Sequence, residues 1–173
     1  MVVSLILATQ ALRPPALVLE GAKLQLANPA QYTQEYFSIP YPGGDPPADK
    51  GACTDVVVRA LRHAGHDLQK LVHEDARRVS YPRIRKRDPN IDHRRCPNLV
   101  RFFSRFGRAA PLDRDFRPGD VVFWKLPGGL DHVGVVSDAV VGDRPKVIHN
   151  IWQTAEEDVL NKWPVVGHFR YPV

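Results

Sequence analysis

The sequence is short of the residues that mark several large classes of protein. Its 173 residues include only two cysteines, too few for a disulfide scaffold and not at the spacing of a zinc motif. No apolar run approaches the roughly 20 residues that a membrane-spanning helix needs. Internal repeats and low-complexity segments are also missing from the sequence. A disulfide-rich miniprotein, a zinc module, a membrane bundle and a repeat array are therefore excluded.

Residues that interrupt regular structure are plentiful, with 16 prolines and 12 glycines. Apolar residues make up 43% of the chain and charged residues 25%, a balance typical of a folded domain rather than a disordered chain. The length suits one domain, which we assign to residues 14–173. Residues 1–13 form an apolar lead segment that resembles the core of a secretory signal without its basic start. It favours a periplasmic or secreted protein, with a cytoplasmic one as the alternative.

The pattern of apolar residues predicts helices in the first part of the chain and strands in the second. Predicted helices cover 14–36 with a break near 28–29, 52–64, 67–79 and 97–106, and a long loop covers 80–95. Predicted strands cover 120–126, 132–140, 146–151 and 165–171. Helices followed by consecutive strands predict an α+β fold with an antiparallel sheet rather than a parallel, doubly wound one.

Positive charge is concentrated in one stretch. The net charge is +5, yet residues 77–108 alone contain eleven basic and two acidic residues. Such a stretch can bind an anionic polymer, and it can equally be a solvated surface that aids solubility. It lacks the interleaved aromatic residues of a nucleic-acid-binding motif, so we expect no nucleic acid partner.

Three residues carry the chemistry that the sequence suggests. Cys53 lies at the first turn of a predicted helix, where unpaired N–H groups and the helix dipole favour a thiolate. His132 begins one predicted strand and His149 ends the next, so antiparallel pairing would bring the two imidazoles together. Nucleophile, base and orienting residue form the arrangement used in thiol catalysis. For each of these three residues considered alone, the alternative to a catalytic role is a structural one.

Several tracts resemble known bacterial families. Tyr-Pro-Gly-Gly at 41–44, Cys-Thr-Asp-Val-Val at 53–57, Pro-Gly-Asp-Val-Val-Phe at 118–123 and His-Val-Gly-Val-Val at 132–136 follow the motif order of NlpC-type cell-wall cysteine peptidases. A closer resemblance is to the bacterial domain-of-unknown-function family numbered 1287. It is carried by the tracts at 53–59, 67–75, 91–95 and 147–151, and it covers the chain from about residue 22.

The resemblance implies a papain-like, NlpC-type fold and a Cys–His hydrolase. It assigns the nucleophile to Cys53, the base to His132 and the third polar residue to His149, with Asn150 as the alternative. Tyr41 is expected near the oxyanion site, beside the Cys53 backbone N–H. The chain departs from the pattern around the nucleophile, where NlpC-type enzymes usually have Asp-Cys-Ser-Gly and this sequence has Ala-Cys-Thr-Asp at 52–55.

The loop before the last helix adds candidate substrate ligands. Asp92, His93, Arg94 and Arg95 could hold a substrate carboxylate, or could pair internally to fix the loop. Cys96 starts the following helix and could pack in the core or form a disulfide with Cys53. We predict no metal site and no cofactor, since no His-Glu-x-x-His motif is present.

The sequence as a whole predicts a thiol hydrolase for amide bonds of peptidoglycan stem peptides. It would act as a cell-wall enzyme or as an exported antibacterial toxin, for which an immunity or regulatory protein is conceivable. The alternatives are an acyltransferase or another amide or ester hydrolase on the same scaffold, and a non-catalytic binder of anionic wall polymer through residues 77–108.

Overall fold

The computed structural model describes residues 14–173. The lead segment 1–13, and with it the export prediction, lies outside the described residues. The helices are α1 (Pro14–Leu24), α2 (Cys53–His63), α3 (Leu68–Asp75) and α4 (Cys96–Phe106). The strands are β1 (Gln31–Tyr32), β2 (Lys50–Gly51), β3 (Arg108–Ala109), β4 (Val121–Lys125), β5 (Asp131–Val141), β6 (Arg144–Asn150), β7 (Thr154–Glu157) and β8 (Val165–Arg170). Within 14–173, no helix has the length and apolarity to cross a bilayer.

The predicted α+β architecture with an antiparallel sheet is confirmed. Six strands pair in the order β3-β8-β4-β5-β6-β7, and every pair in this sheet is antiparallel. The four strands predicted from short, apolar, turn-bounded segments are β4, β5, β6 and β8. Helices α2 and α4 were also predicted close to their observed bounds, and Pro97 fits the first turn of α4, where its missing N–H has no intrahelical partner.

Two helices are shorter than predicted because tertiary contacts end them. Helix α1 stops at Leu24 rather than 36, and the Gln25 side chain next to it donates to the Val56 carbonyl of α2 at 3.0 Å. Helix α3 stops at Asp75 rather than 79, where the carboxylate accepts from Tyr81 Oη at 2.8 Å and pairs with Arg105. In both cases the apolar pattern continues for several residues beyond the point where the helix ends.

The sheet is covered on both faces, which explains why β4 is apolar at nearly every position. Val121 and Phe123 belong to the main core, which lies between the sheet and α2 and α4. Val122 and Trp124 belong to a second core on the opposite face. Alternate residues of one strand point to opposite faces, so β4 contributes to both cores at once.

The strands that the sequence did not predict are short or polar. β7 reads Thr-Ala-Glu-Glu and has no apolar alternation, yet it pairs with β6 along four residues. β1 and β2 form a two-residue parallel pair; β1 lies inside the segment predicted as helix, and β2 lies where no strand is predicted. Such strands are held by their partners rather than by their own propensity.

Candidate functional site

Cys53 is held at the first position of a firmly capped helix. Asp55 Oδ2 accepts a hydrogen bond from the Ala52 N–H at 2.6 Å. The same carboxylate receives two bonds from the Arg94 guanidinium, at 2.8 and 2.9 Å, and both side chains are buried. This bidentate pair fixes the start of α2. The Asp55 N–H donates to the Ala52 carbonyl at 3.1 Å, whereas the Cys53 N–H, at the first position, has no acceptor within the helix.

Two thiols meet where α2 and α4 begin. Cys53 Sγ lies 3.9 Å from Cys96 Sγ, and both cysteines are free thiols rather than a disulfide. Either sulfur can donate in this contact, and the hydrogen bond with Cys96 lowers the pKa of Cys53 well below its usual value, against the effect of burial. A hydrogen bond and positive charge from His132 lower this pKa further, as does the Val133 backbone N–H. The Cys53 thiolate and burial raise the pKa of Cys96, so Cys96 remains the protonated donor.

His132 and His149 come together through the register of β5 and β6. Gly134 lies opposite His149, so His132, two residues earlier on β5, is its diagonal neighbour on the same face. His132 Nε2 is 2.8 Å from His149 Nδ1. The other ring nitrogen of His132 is therefore the one available to the thiol. The structure thus brings Cys53, His132 and His149 into one cluster.

Gly134 leaves space beside this contact between the histidines. A Cβ at this position would stand 2.6 Å from Val147 Cγ1 and 3.1 Å from His149 Cβ. Both distances are shorter than ordinary van der Waals contact. The glycine of the His-Val-Gly tract thus leaves the space in which His149 reaches His132.

A carboxylate continues the line of polar groups beyond His149. Glu157 Oε2, on β7, lies 2.9 Å from His149 Nε2. Burial and the charge of His132 lower the pKa of His149, which keeps this ring neutral. In the tautomer in which His149 Nδ1 accepts from His132, the His149 proton is on Nε2, which lies close to Glu157 Oε2 but makes no well-aligned hydrogen bond with it. Glu157 therefore favours the tautomer in which His149 can support a protonated His132.

Aromatic rings enclose the base. The His132 ring is 5.8 Å from the Trp124 ring and 5.7 Å from the Trp163 ring. His132 is buried, so its orientation is fixed by packing as well as by His149. Trp124 belongs to the second core and Trp163 packs against that core, so this core also shapes the site.

A cleft of about 510 Å³ opens beside Cys53. It is lined by Tyr32, Thr33, Gln34, Ala52, Cys53, Thr54, Arg83, Ile91, Arg94, Arg95, Cys96, Pro97 and Asp131. Tyr41, expected at the oxyanion site, does not line this cleft. Its ring instead packs at 5.0 Å from the ring of His73 on α3. The cis Tyr41–Pro42 loop is tied to α3, where Gln69 Oε1 accepts from the Gly44 N–H, and Tyr32 is the tyrosine at the cleft.

Asn150, the alternative for the third polar residue of the site, makes hydrogen bonds to the backbone of other segments. Its side-chain amide donates to the Ala30 carbonyl at 2.9 Å and to the Gly51 carbonyl at 3.4 Å. These bonds join the end of β6 to β1 and β2. Between the two alternatives for the third polar residue, His149 is the one in contact with His132.

The four loop candidates separate into internal and cleft residues. Asp92 accepts from the Asp88 backbone N–H at 2.7 Å, and His93 is buried outside the cleft. Arg94 lines the cleft, but its guanidinium is bound to Asp55. Arg95 lines the cleft and is exposed. Three of the four loop residues are therefore buried and stabilise the loop and the start of α2, and Arg95 is the one that a substrate in the cleft can contact.

Sequence reasoning missed the Asp55–Arg94 pair and Glu157. It did name Cys96 as a possible disulfide partner of Cys53, and the structure places the two sulfur atoms 3.9 Å apart as free thiols. No local signal reveals the two missed contacts, since each joins segments at least 8 residues apart in the chain. Within residues 14–173, no group of three or more His, Cys, Asp or Glu side chains has the arrangement of a metal site.

Comparison with known proteins places the chain among its relatives. A family model described as "Domain of unknown function (DUF1287)" matches residues 19–171. The chain belongs to this family. It is also similar to a protein of Escherichia coli (strain K12) named "Uncharacterized protein YijF", with 48% identity over 164 residues, 89% of this chain and 80% of the relative. Cys53, His132 and His149 all lie within the residues that the DUF1287 model matches.

Proposed function

We propose that the protein is a thiol-dependent hydrolase with a papain-like, NlpC-type fold. It cleaves amide bonds in the stem peptides of bacterial peptidoglycan, as a cell-wall enzyme or an exported antibacterial toxin outside the cytoplasm. One observation supports this above the others: Cys53, whose pKa is lowered by Cys96 and His132, stands beside a base that His149 orients. A buried thiol without these partners would have a raised pKa and little nucleophilicity.

The proposed reaction begins when His132 holds the proton of the Cys53 thiol and the thiolate attacks a substrate carbonyl. The Cys53 backbone N–H, at the start of α2, donates to the developing oxyanion. His132 then protonates the leaving amine, and a thioester remains on Cys53. Water, deprotonated by His132, hydrolyses the thioester and restores the thiol.

His149 and Glu157 act through His132 in this scheme. A neutral His149 accepts from His132 Nε2 and stabilises the ring when it carries two protons. The buried setting between Trp124 and Trp163 keeps water from competing for these bonds.

The wall polymer is the preferred substrate for two reasons. The resemblance of the tracts around Cys53 and His132 to NlpC-type peptidases favours peptide amides of peptidoglycan. In addition, exposed arginines of the loop 80–95 adjoin the cleft, which suits an anionic polymer.

The test is digestion of purified peptidoglycan, followed by mass spectrometry of the released fragments. We expect new amine and carboxyl ends at one position of the stem peptide with the native protein, and none with Cys53→Ala. The control is His168→Ala, which removes a buried histidine on the same sheet, away from the thiol. Equal release of fragments by native protein and Cys53→Ala would contradict the proposal.

The same experiment separates the alternatives. If a competing amine is captured in the product, the enzyme is an acyltransferase that passes the acyl group from Cys53. If no bond is broken and Cys53→Ala still binds peptidoglycan in a strongly salt-dependent manner, the protein is a binder of anionic polymer.

A further inference from the structure

The cleft beside Cys53 is lined by four charged residues of both signs, and two of them are already neutralised. Arg94 is ion-paired with Asp55, and Asp131 is ion-paired with Lys125. Two charged residues of the lining remain. Among residues 14–173, neither Arg83 nor Arg95 forms an ion pair, and both are exposed. The uncompensated charge of the cleft is therefore positive.

The backbone around these two arginines is fixed, so their side chains start from defined positions. The Arg83 backbone N–H donates to Asn98 Oδ1 at 3.0 Å, and Asn98 is buried on α4. Arg95 Nη1 donates to the Arg83 carbonyl. This bond uses one N–H of the Arg95 guanidinium, and the side chain is exposed at the cleft with further donors for a ligand. The two residues thus form one unit at the cleft wall.

The positive surface continues away from the thiol. A second cavity of about 410 Å³ shares Arg83 and Arg95 with the cleft and adds Arg85 and Lys86. The carboxylates that also line it, Asp88 and Asp92, accept internal hydrogen bonds from Tyr36, Asn90 and the Asp88 backbone. The lining therefore offers an anion more free donors than free acceptors.

We propose that Arg83 and Arg95 form an anion subsite that selects substrates with a free carboxylate close to the bond that Cys53 attacks. This inference rests on the proposed function for its substrate, but the subsite itself can be tested without any hydrolysis. A guanidinium binds a carboxylate through paired N–H donors. A stem peptide carries such carboxylates, whereas a peptide amidated at the same position does not.

The test compares two reagents that alkylate Cys53: iodoacetate, which carries a carboxylate, and iodoacetamide, its neutral analogue. Both react with the same thiolate, so the ratio of their rates at one pH cancels any change in the Cys53 pKa. The ratio is divided by that of a small free thiol. We expect Arg83→Gln with Arg95→Gln to lower the normalised ratio at least about threefold, the effect of losing an exposed ion pair or two.

The matched control is Arg77→Gln with Arg78→Gln. It removes the same charge from exposed positions of the neighbouring loop that do not line the cleft. We expect this control to leave the ratio nearly unchanged. The single variant Arg83→Gln keeps the hydrogen bond from Arg95 to the Arg83 carbonyl, so it serves as a check if the double variant misfolds. It should lower the normalised ratio in the same direction by a smaller factor.

An unchanged ratio in both Arg83 variants would overturn the subsite, as would an equal fall in the Arg77 and Arg78 control. Neither result depends on peptidoglycan cleavage. If the subsite is confirmed while the digestion assay is negative, the hydrolase proposal fails alone. If digestion is positive and the ratio does not respond, the anion subsite fails alone.

Discussion

Two histidine clusters lie on the same sheet, and their surroundings differ in one decisive way. His168 on β8 has both ring nitrogens occupied, with Nδ1 2.6 Å from the Pro111 carbonyl and Nε2 2.7 Å from Asp120 Oδ2. His132 on β5 has Nε2 bound to His149, and its ring adjoins the Cys53 thiol, whose pKa it lowers. Both rings are buried. A buried histidine is thus structural when both nitrogens have protein acceptors, and available for chemistry when one faces a nucleophile.

The first prediction removes the histidine of the reactive cluster. In His132→Ala, Cys53 loses its base and the nearby positive charge, so turnover should fall about 10²- to 10⁴-fold. The alkylation midpoint of Cys53 should rise by about one pH unit or more. Rates of peptidoglycan cleavage and of alkylation against pH measure the two effects. A variant with native turnover would show that His132 is not the base.

The second prediction removes the histidine of the other cluster. His168→Ala leaves the buried Asp120 carboxylate without its closest partner, although Arg170 still lies 3.3 Å away. We expect a loss of about 2–4 kcal/mol in the free energy of unfolding, measured by urea denaturation. The Cys53 alkylation midpoint should not move. A shift of that midpoint comparable with that of His132→Ala would remove the distinction between the clusters.

His93 provides a third environment, since within residues 14–173 neither of its ring nitrogens has a hydrogen-bond partner. Burial lowers the pKa of His93 to about 4. Below about pH 6.5 the unfolded chain takes up a proton at this residue while the folded chain does not, so stability falls as the pH falls. The loss approaches about 3 kcal/mol near pH 4, at about 1.4 kcal/mol for each pKa unit.

Denaturation curves of native protein and His93→Leu between pH 7 and pH 4 measure this contribution. The variant should lose less stability over that interval than the native protein. Parallel curves would mean that His93 is protonated in the fold or shielded in the unfolded chain.

The fourth prediction concerns the thiol donor. In Cys96→Ala the Cys53 thiolate loses the hydrogen bond that lowers its pKa most, so the alkylation midpoint should rise by about one pH unit. In Cys96→Ser a hydroxyl can still donate, and the rise should be smaller. Equal midpoints in both variants and the native protein would show that Cys96 only packs.

The smallest expected effect is that of Glu157, the last polar group in the series Cys53, His132, His149 and Glu157. Glu157→Gln keeps the shape but removes the charge that favours the Nε2 proton on His149. We expect turnover to fall about 10-fold, the lower end of the range for groups that orient a functional histidine, because Glu157 is half exposed; the KM should not change. Asp158→Asn, which breaks an exposed pair with Arg144, is the control. A loss of equal size in the control would assign the effect to general charge.

The comparison also shows what the sequence could predict. Periodicity placed α2 and β4 to β6, and antiparallel pairing of β5 with β6 was enough to bring His132 near His149. The sequence could not distinguish the role of His168 from that of His132, because the partners of His168, Pro111 and Asp120, are distant in sequence and meet it only in the folded chain. The sequence predicted Tyr41 near the oxyanion site, but its ring packs against the ring of His73 instead. The polar strand β7, which carries Glu157, has no apolar pattern from which a strand could be predicted.

The central claim is that Cys53 is a thiolate near neutral pH because Cys96 and His132 stabilise it. Alkylation by iodoacetamide across a range of pH, with mass spectrometry to separate the two cysteines, tests this directly. We predict a midpoint for Cys53 well below the ordinary thiol value of about 8.5 and a midpoint for Cys96 above it. If both thiols titrate together near that ordinary value, the account of the site is wrong.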